Sequence, residues 1–382
     1  MTLAAGPAPV PQLDGVVATQ SSICLLSAAE NRLAYRGYDV RALAEQATSE
    51  ETTFLLLAGR LPARSELTLF VRALRAAGKP SRRALKLVTG APAGADAMAV
   101  LRTAVSALGL DPPRNGGAGG SAAAGIPAAA VALVAQVPTL VAALYRAGRG
   151  ERPLSPRRGL GQAANFLYML HGAQPAAALA HGFDVALTLR ADNELNPSTF
   201  AARIAAATRA DLYGCVTAAL AALAGPRHGG HALAVYRVLE EVGTADRVDA
   251  VVAARLAASG SFPGFGHPVY AGEDPRTAPM RRAAQQACTA AGAETWFELA
   301  RAVEERVHAA TGRFANVDFY LAPLYRAAGI PPGLFTLVFA AARTPGWVAH
   351  ALEQYQLEGL IRPRAAYVGP PQQEYRPLRR RA

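Results

Sequence analysis

The segment GFGHPVYAGEDPR, residues 264–276, places His267 in a glycine-rich turn and follows it nine residues later with Arg276. Three glycines, two prolines and several polar groups lie within thirteen residues, a composition typical of a loop and not of a helix or strand interior. A titratable side chain in such a loop is a candidate for chemistry, because loops position functional groups on a rigid scaffold. The surrounding sequence decides what that scaffold is.

On both sides of this segment, apolar residues recur at the spacing of an α-helix. Met98, Leu101, Val105 and Leu108 mark one such face, and the same rhythm returns in one segment after another as far as residue 358. Sustained alternation of period two is nearly absent. Its one plausible occurrence is at 16–36, where Glu-Asn separates two short apolar stretches. The pattern predicts an all-α protein with a short N-terminal β-hairpin.

Local details of the helices are predicted from the same pattern. We expect one helix over 198–223 and two separate helices over 333–342 and 345–358. The Gly/Ala/Ser-rich stretch 110–126 predicts a mobile loop, and MTLAAGPAPVPQLDG at the start lacks the basic and apolar regions of a signal peptide, so we expect a disordered leader. The uncharged segment 126–144 is as long as a membrane span. Its alanines, two prolines and glutamine favour a buried core helix, so no membrane is expected.

Composition bounds the class of protein. The chain has 382 residues, of which 51% are hydrophobic and 18% charged, so a large core and two domains are expected. The net charge of +11 comes almost entirely from arginines scattered singly along the chain, since lysine occurs only at positions 79 and 86. A nucleic-acid-binding surface would concentrate that charge, so no nucleic-acid partner is expected.

The cysteines indicate neither a disulfide framework nor a metal site. Cys24, Cys215 and Cys288 are odd in number, widely spaced and without a Cys-x-x-Cys pair. A reducing, cytoplasmic location fits this usage. No metal ligand set is predicted.

Three polar, glycine-containing stretches between helices each carry one titratable residue. They are AGPRHGG with His228, PGFGHPVYAGEDPR with His267, and RFANVDFY with Asp318. Two imidazoles and a carboxylate suit proton transfer near neutral pH. Each also has an ordinary structural explanation, since Gly-His turns end helices and an Asp can cap one.

Taken in this order, the three stretches resemble the signature of the citrate synthase family, which includes 2-methylcitrate synthases. The similarity extends to SSICLLSAAENRLAYRGYDVRALAEQA near the start, NPSTFAARIAAAT in the middle, and RTPGWVAHALEQ and IRPRAAYVGP towards the end. The resemblance implies a large helical domain, residues 1–231 and 331–382, with a small helical domain, residues 232–330, inserted into it. Closure of the two would assemble a site and exclude water.

The resemblance implies a condensation of acetyl-CoA with oxaloacetate that gives citrate and free CoA, a step of the tricarboxylic acid cycle. Asp318 would remove a methyl proton, His228 would donate to the thioester oxygen, and His267 would polarise the carbonyl of the oxo acid. The backbone around Gly264, Phe265 and Gly266 would approach the CoA thioester. Acetyl-CoA is then a co-substrate, and no permanently bound cofactor is expected.

Three arginines match positions at which the family binds the carboxylates of the oxo acid. They are Arg276, Arg343 in RTPGW, and Arg362 in IRPR. A guanidinium suits this role because its planar fork bonds both oxygens of a carboxylate. In the family the last of the three reaches into the site of the other subunit, which implies an obligate homodimer.

Some positions depart from the family pattern. Where relatives usually have LHADH, this chain has LRADN, so Arg190 and Asn193 replace two histidines and are candidate contacts to the oxo acid. Pro268 and Ala271 replace an Arg and a Lys near the CoA phosphates, and His231-Ala-Leu replaces Ala-Asn-Glu. The alternatives are therefore a 2-methylcitrate synthase, a condensing enzyme for another acyl-CoA and 2-oxo acid, or a non-catalytic CoA-binding paralogue.

Overall fold

The computed structural model describes residues 15–112 and 121–381, and the predicted all-α class is confirmed. The α-helices of this part of the chain are α1 (Val40–Gln46), α2 (Ser49–Ala58), α3 (Arg64–Ala77), α4 (Arg82–Thr89), α5 (Ala97–Leu108), α6 (Ala128–Gly148), α7 (Gln162–His171), α8 (Ala177–Arg190), α9 (Pro197–Ala207), α10 (Leu212–Leu223), α11 (His231–Val242), α12 (Val248–Ser259), α13 (Thr277–Ala291), α14 (Glu294–Thr311), α15 (Val317–Ala327) and α16 (Phe335–Gln354).

The predicted N-terminal hairpin is present and gains a third strand. Strands β1 (Cys24–Ser27), β2 (Arg32–Tyr35) and β3 (Tyr38–Asp39) form an antiparallel sheet in that order. A second antiparallel pair, β4 (Ser121–Ala123) and β5 (Ile126–Pro127), lies in the stretch predicted as a loop. Part of that loop and the predicted disordered leader lie outside the described residues.

Two helix predictions were wrong. The expected helix 198–223 is two helices, α9 and α10, because Arg209 adopts a left-handed backbone conformation (φ 64°) and the Asp211 carboxylate caps α10 by accepting from the N–H of Gly214 at 2.7 Å. The two helices expected around 333–358 are one, α16, which continues through Pro345. There the Thr344 hydroxyl donates to the carbonyl of Ala340 at 2.8 Å, and the whole turn is buried.

The core is built around α6 and α16. Helix α6 is long and apolar enough to cross a membrane, but 72% of its most apolar window is buried inside the molecule, which is typical of a core helix. Its neighbour α16 is buried along nearly its whole length, including Arg343 and His350. Polar groups in so apolar a helix require partners, and Arg343 lies where the helix borders the cavity described below.

The helices of the two predicted domains pack closely at one point. At Gly182 in α8, an added Cβ would lie 2.9 Å from Leu324 of α15 and 3.2 Å from the carbonyl oxygen of Ala283 in α13. A larger residue here would force Leu324 and the Ala283 carbonyl to shift, so glycine favours the close approach of α8 to both helices. The predicted division at residues 231 and 331 stays a prediction.

Candidate active site

A cavity of about 600 Å³ lies among the ends of α8, α11 and α12, the start of α15, the middle of α16, and the glycine-rich loop 262–268. His228, His267 and Asp318 all line it. These three residues are spread over ninety positions of sequence, so their meeting is a result of the packing and not of local structure. Of the other predicted site residues, the ones that also line this cavity are Arg190, Asn193, Gly264, Phe265, Gly266, Arg276 and Arg343.

Main-chain hydrogen bonds tie the glycine-rich loop to the segment that begins α15. The N–H of Gly266 donates to the carbonyl of Phe314 at 2.9 Å, and the N–H of Asn316 donates to the carbonyl of Gly264 at 2.8 Å. The Asn316 amide also donates to the Gly266 carbonyl at 2.9 Å, while its oxygen caps α15 by accepting from the N–H of Asp318. The loop that carries His267 and the turn that carries Asp318 are thus one unit.

Glycine is obligatory at position 264 for two reasons. Its backbone is left-handed (φ 81°), and an added Cβ would lie 2.7 Å from Val235 and 3.0 Å from the ring of Phe319. Gly266 is also left-handed (φ 77°), but the atom nearest to a Cβ added there would be 3.8 Å away, on Arg313. Position 264 therefore combines strain with a lack of space, whereas position 266 has strain alone.

The ring of His267 is held in one tautomer. Its Nδ1 accepts from the backbone N–H groups of Val269 at 3.1 Å and Tyr270 at 3.3 Å, and its Nε2 lies 3.5 Å from Nη2 of Arg276. The two shorter backbone bonds place the proton of the neutral ring on Nε2. Burial and the positive charge of Arg276 lower the pKa of His267 to about 4. The side chain is therefore a neutral N–H donor at neutral pH.

His228 is held in the opposite tautomer. Its Nε2 accepts from the backbone N–H of Ser198 at 3.3 Å, which places the proton on Nδ1. The Ser198 hydroxyl lies 2.7 Å from the same Nε2 and donates to the amide oxygen of Asn196 at 2.7 Å. The hydroxyl itself accepts from the indole N–H of Trp347 at 3.1 Å. Burial and the charge of Arg343 lower the pKa of His228 to about 4. A second neutral donor thus borders the cavity.

Asp318 forms an ion pair with Arg190. The carboxylate side chain is 18% exposed and the arginine side chain 6% exposed, so water screens the pair little. Burial alone would raise the pKa of Asp318, but the charge of Arg190, with smaller contributions from His231 and Arg276, lowers it below its ordinary value. In this arrangement the carboxylate is ionised and paired.

The other two cavity arginines differ in their partners. Arg276 is buried and makes a two-pronged ion pair with Asp274, through Nε at 3.0 Å and Nη2 at 2.8 Å. Arg343 donates from Nε to the carbonyl of Arg190 at 2.7 Å, and no carboxylate of the described residues lies within ion-pair distance of it. Burial, together with the charges of Arg190 and Arg276, lowers the pKa of Arg343 to about 10, so it remains charged at neutral pH.

The segment 190–193 is fixed against α16 by a buried polar network. The Nε2 of His350 lies 3.2 Å from the Asp192 carboxylate, and both side chains are fully buried. Arg203 donates to the Nδ1 of His350 at 2.9 Å, so the His350 proton belongs on Nε2, facing Asp192. Gly346 allows the helix to come this close, since a Cβ there would lie 2.3 Å from the carbonyl oxygen of Ala191.

Arg362 is not brought to this cavity. It is exposed on the segment after α16 and lines a separate groove with residues that include Val16, Thr19 and Phe200. The predicted role of Arg362 in a partner subunit stays a prediction.

Comparison with known proteins places this geometry in a family. A model of the citrate synthase C-terminal domain matches residues 12–364. The chain is 40% identical to citrate synthase 2 of Bacillus subtilis, with 97% of this chain and 98% of that protein covered. The chain belongs to the citrate synthase family.

Other relatives agree with this assignment. A 2-methylcitrate synthase of Mycobacterium tuberculosis is 37% identical, with 94% of this chain and 90% of that protein covered. The crystal structure of citrate synthase from Pyrobaculum aerophilum superimposes with a TM-score of 0.87 at 35% identity, covering 97% of this chain and 94% of that one. The structure of the Thermoplasma acidophilum citrate synthase, a ternary complex with carboxymethyl coenzyme A and oxaloacetate, superimposes with a TM-score of 0.86 at 26% identity. That match covers 97% of this chain and 100% of the other.

Within this citrate synthase fold, sequence reasoning missed several residues around the cavity. Ser198 orients His228, and the motif NPSTF that contains it was its only sequence signal. Phe339 lies beneath two arginines, with the guanidinium carbons of Arg190 and Arg343 at 3.9 Å and 4.9 Å from its ring centroid. No sequence signal distinguishes that phenylalanine from the apolar residues around it.

Proposed function

We propose that the protein catalyses the condensation of acetyl-CoA with oxaloacetate and the hydrolysis of the resulting thioester, giving citrate and free CoA. The observation that carries this is the convergence of two neutral histidines, in fixed tautomers, and one ionised carboxylate on a single cavity bordered by arginines. Acid–base chemistry on a carbon acid needs one group to remove the proton and another to stabilise the oxyanion that forms.

The first step in this proposal is enolisation of the thioester. An oxygen of Asp318 takes a proton from the acetyl methyl, and the electron pair of that C–H bond moves into the carbonyl. The Nδ1–H of His228 donates to the oxygen on which negative charge develops. Because Ser198 holds the other ring nitrogen as an acceptor, the imidazole presents this N–H without needing to rotate or ionise.

Carbon–carbon bond formation follows. The methylene carbon attacks the carbonyl carbon of oxaloacetate, and the oxygen of that C=O bond takes the proton of His267 at Nε2. The proton that Asp318 took from the methyl group then returns to Nε2 of His267 through water, which restores both side chains. The two backbone donors on Nδ1 keep that proton on the correct nitrogen. Water then cleaves the thioester, so that acetyl-CoA, oxaloacetate and water become citrate and CoA. In this scheme the acetyl group is transferred and converted to an alkyl group.

Carboxylate binding is assigned to the arginines. Arg276 and Arg343 border the cavity and would hold the two carboxylates of the oxo acid, with Asn193 offering an amide nearby. The left-handed turn at Gly264 and Gly266 would let the thioester approach the backbone beside Phe265. Arg362 would complete the site of the partner in a homodimer. We expect the enzyme in the cytoplasm.

Release of free thiol from acetyl-CoA in the presence of millimolar oxaloacetate tests the proposal. The expected result is thiol release that depends on oxaloacetate and is lost in Asp318→Asn. Absence of thiol release from the correctly folded wild-type protein would reject the proposal. The same assay is repeated with propionyl-CoA in place of acetyl-CoA and with other 2-oxo acids in place of oxaloacetate. A preference for one of these pairs would change the assigned substrates but not the proposed reaction chemistry.

A further inference from the structure

The guanidinium of Arg190 lies between the proposed base and the proposed acceptor-binding arginine. This guanidinium pairs with Asp318, and the backbone carbonyl of Arg190 accepts from Arg343. The guanidinium carbon of Arg190 lies 3.9 Å from the ring centroid of Phe339, on which Arg343 also packs. Its Nε is buried and has no hydrogen-bond partner among the described residues. Arg190 therefore has donor capacity left over in a place that an incoming anion would occupy.

The three arginines around the cavity differ in whether a carboxylate pairs with them directly. Of the three buried arginines, Arg276 is neutralised by Asp274 and Arg190 by Asp318, whereas Arg343 has no carboxylate at ion-pair distance in the described part of the chain. The charge of the buried Asp192 carboxylate raises the pKa of Arg343 from beyond that distance, so part of the charge is offset without a direct ion pair. A dicarboxylate acceptor thus brings two carboxylates to a cavity where, among these three arginines, Arg343 alone lacks a direct ion-pair partner. Its second carboxylate must therefore take a guanidinium that already has a partner, because an unpaired anion in a buried site is costly.

Arg276 and Arg190 differ in how easily they can change partner. Arg276 is bound to Asp274 through two nitrogens, and Asp274 also accepts from the backbone N–H of Val317, so this pair is locked into the protein at both ends. The pair of Arg190 with Asp318 uses a single nitrogen, Nη1. Arg190 is thus the cation that an acceptor can recruit.

We propose that Arg190 is a switch residue: in the unliganded protein it holds Asp318, and on acceptor binding it releases that carboxylate and binds a carboxylate of the 2-oxo acid. This inference rests on the proposed function and adds to it a role for Arg190. Asp318 and the acceptor compete for one guanidinium. Because burial alone favours the protonated form of Asp318, the carboxylate becomes a stronger base once the arginine has left it.

A cycle of binding measurements tests the competition without any turnover. The probe is (S)-malate, a hydroxy dicarboxylate that has no carbonyl carbon to attack, and the readout is its Kd by calorimetry in wild type, Asp318→Asn, Arg190→Gln and the double variant. Removing the competitor in Asp318→Asn should tighten malate binding by about fivefold or more. With Arg190 also replaced, Asp318→Asn should change the Kd by less than about twofold.

Two outcomes would overturn the switch. Unchanged or weaker malate binding by Asp318→Asn would mean that no competition exists. If Asp318→Asn tightened malate binding equally in the Arg190→Gln background, the Asp318 carboxylate would act only by repelling the ligand. If Arg190→Gln does not fold, Arg190→Lys takes its place in the cycle, because lysine keeps the charge but not the planar fork. In that background Asp318→Asn should tighten malate binding by less than it does with arginine present. Equal tightening would again count against the switch.

Arg301→Gln is the matched control, since Arg301 forms an exposed pair with Glu305 one helical turn away and should bind malate as wild type does. A second readout is the pH dependence of acetyl-CoA methyl-proton exchange into D₂O, measured in Arg190→Gln and in wild type. Loss of the cation should move the inflection of Asp318 to higher pH, which a merely structural role of Arg190 would not do. Failure of thiol release alone would reject the proposed function, whereas failure of the malate cycle alone would reject the switch.

Discussion

The backbone N–H of Ser198 lies 3.3 Å from Nε2 of His228, and this one contact decides which ring nitrogen carries the proton. A main-chain donor cannot rotate away or change its charge. It therefore fixes the imidazole as an acceptor towards α9 and as a donor on its other side, whatever happens to the Ser198 hydroxyl.

His228→Ala should lower kcat by about 10²- to 10³-fold, because the donor to the developing oxyanion is lost. Ser198→Ala should have a much smaller effect, since the backbone N–H that selects the tautomer remains. Steady-state thiol release measures both. His181→Ala, on the exposed face of α8, is the control and should match wild type. Equal losses in His228→Ala and His181→Ala would remove His228 from the chemistry.

Stability should fall as the pH is lowered from about 6.5 towards 4. The pKa values of His228 and His267 are lowered in the folded protein from 6.5 to about 4, so the unfolded chain binds more protons in this window. Their stabilising contribution is complete above pH 6.5 and is lost on acidification. Thermal unfolding of wild type and of the His228→Gln/His267→Gln double variant measures it; the double variant should lose less Tm over this range, and parallel curves would contradict the prediction.

Gly264→Ala should destabilise the fold by about 2 kcal/mol or more and impair activity, because left-handed strain adds to overlap with Val235 and Phe319. The matched control is Gly260→Ala, where the backbone is also left-handed (φ 64°) but nothing lies within 4 Å of an added Cβ. Strain alone predicts a loss of about 1 kcal/mol there. Chemical denaturation compares the two, and equal losses would show that space at position 264 is not limiting.

Gly346→Ala should also destabilise, although alanine is the better helix former by about 1 kcal/mol. The added methyl would overlap the Ala191 carbonyl and the Asp192 carboxylate, so α16 or the segment 190–193 must move. We expect a raised KM for the oxo acid as well as a lower Tm. Gly148→Ala, at the end of α6 with open space around it, is the control and should not lower the Tm. An unchanged Tm and an unchanged KM in Gly346→Ala would contradict the close packing.

Mixing two inactive variants tests the dimer. If Arg362 serves the site of the partner subunit, Arg362→Gln and Asp318→Asn should complement each other, because a mixed dimer contains one site with both native residues. Random reassociation after partial denaturation should restore about a quarter of wild-type activity. Each variant carried alone through the same treatment is the control. No recovery despite mixed dimers would place the function of Arg362 within its own chain.

Helical periodicity was enough to predict the fold class, and the ordered motifs singled out His228, His267 and Asp318, all of which line the cavity. Both depend on residue type and spacing. The pairing of Arg190 with Asp318 could not be predicted, since these residues are 128 positions apart and meet only through the packing of α8 near α15. The break between α9 and α10 was hidden by an alanine-rich sequence with little periodicity. The continuity of α16 through Pro345 depends on burial, which overrides the usual preference of proline for helix ends.

The hydrogen bonds between the glycine-rich loop and the start of α15 have a consequence for how this chain can change its length. An insertion or deletion on either side would break the pairing of Gly264 and Gly266 with 314–316 and separate the proton donor from the proton acceptor. Length variation is therefore tolerable between the two segments, as in α13 and α14 or their connection, only if it leaves both ends in register. Redesign of the intervening chain is then confined to parts that leave the Arg276–Asp274 pair and the packing of α13 on α8 in place.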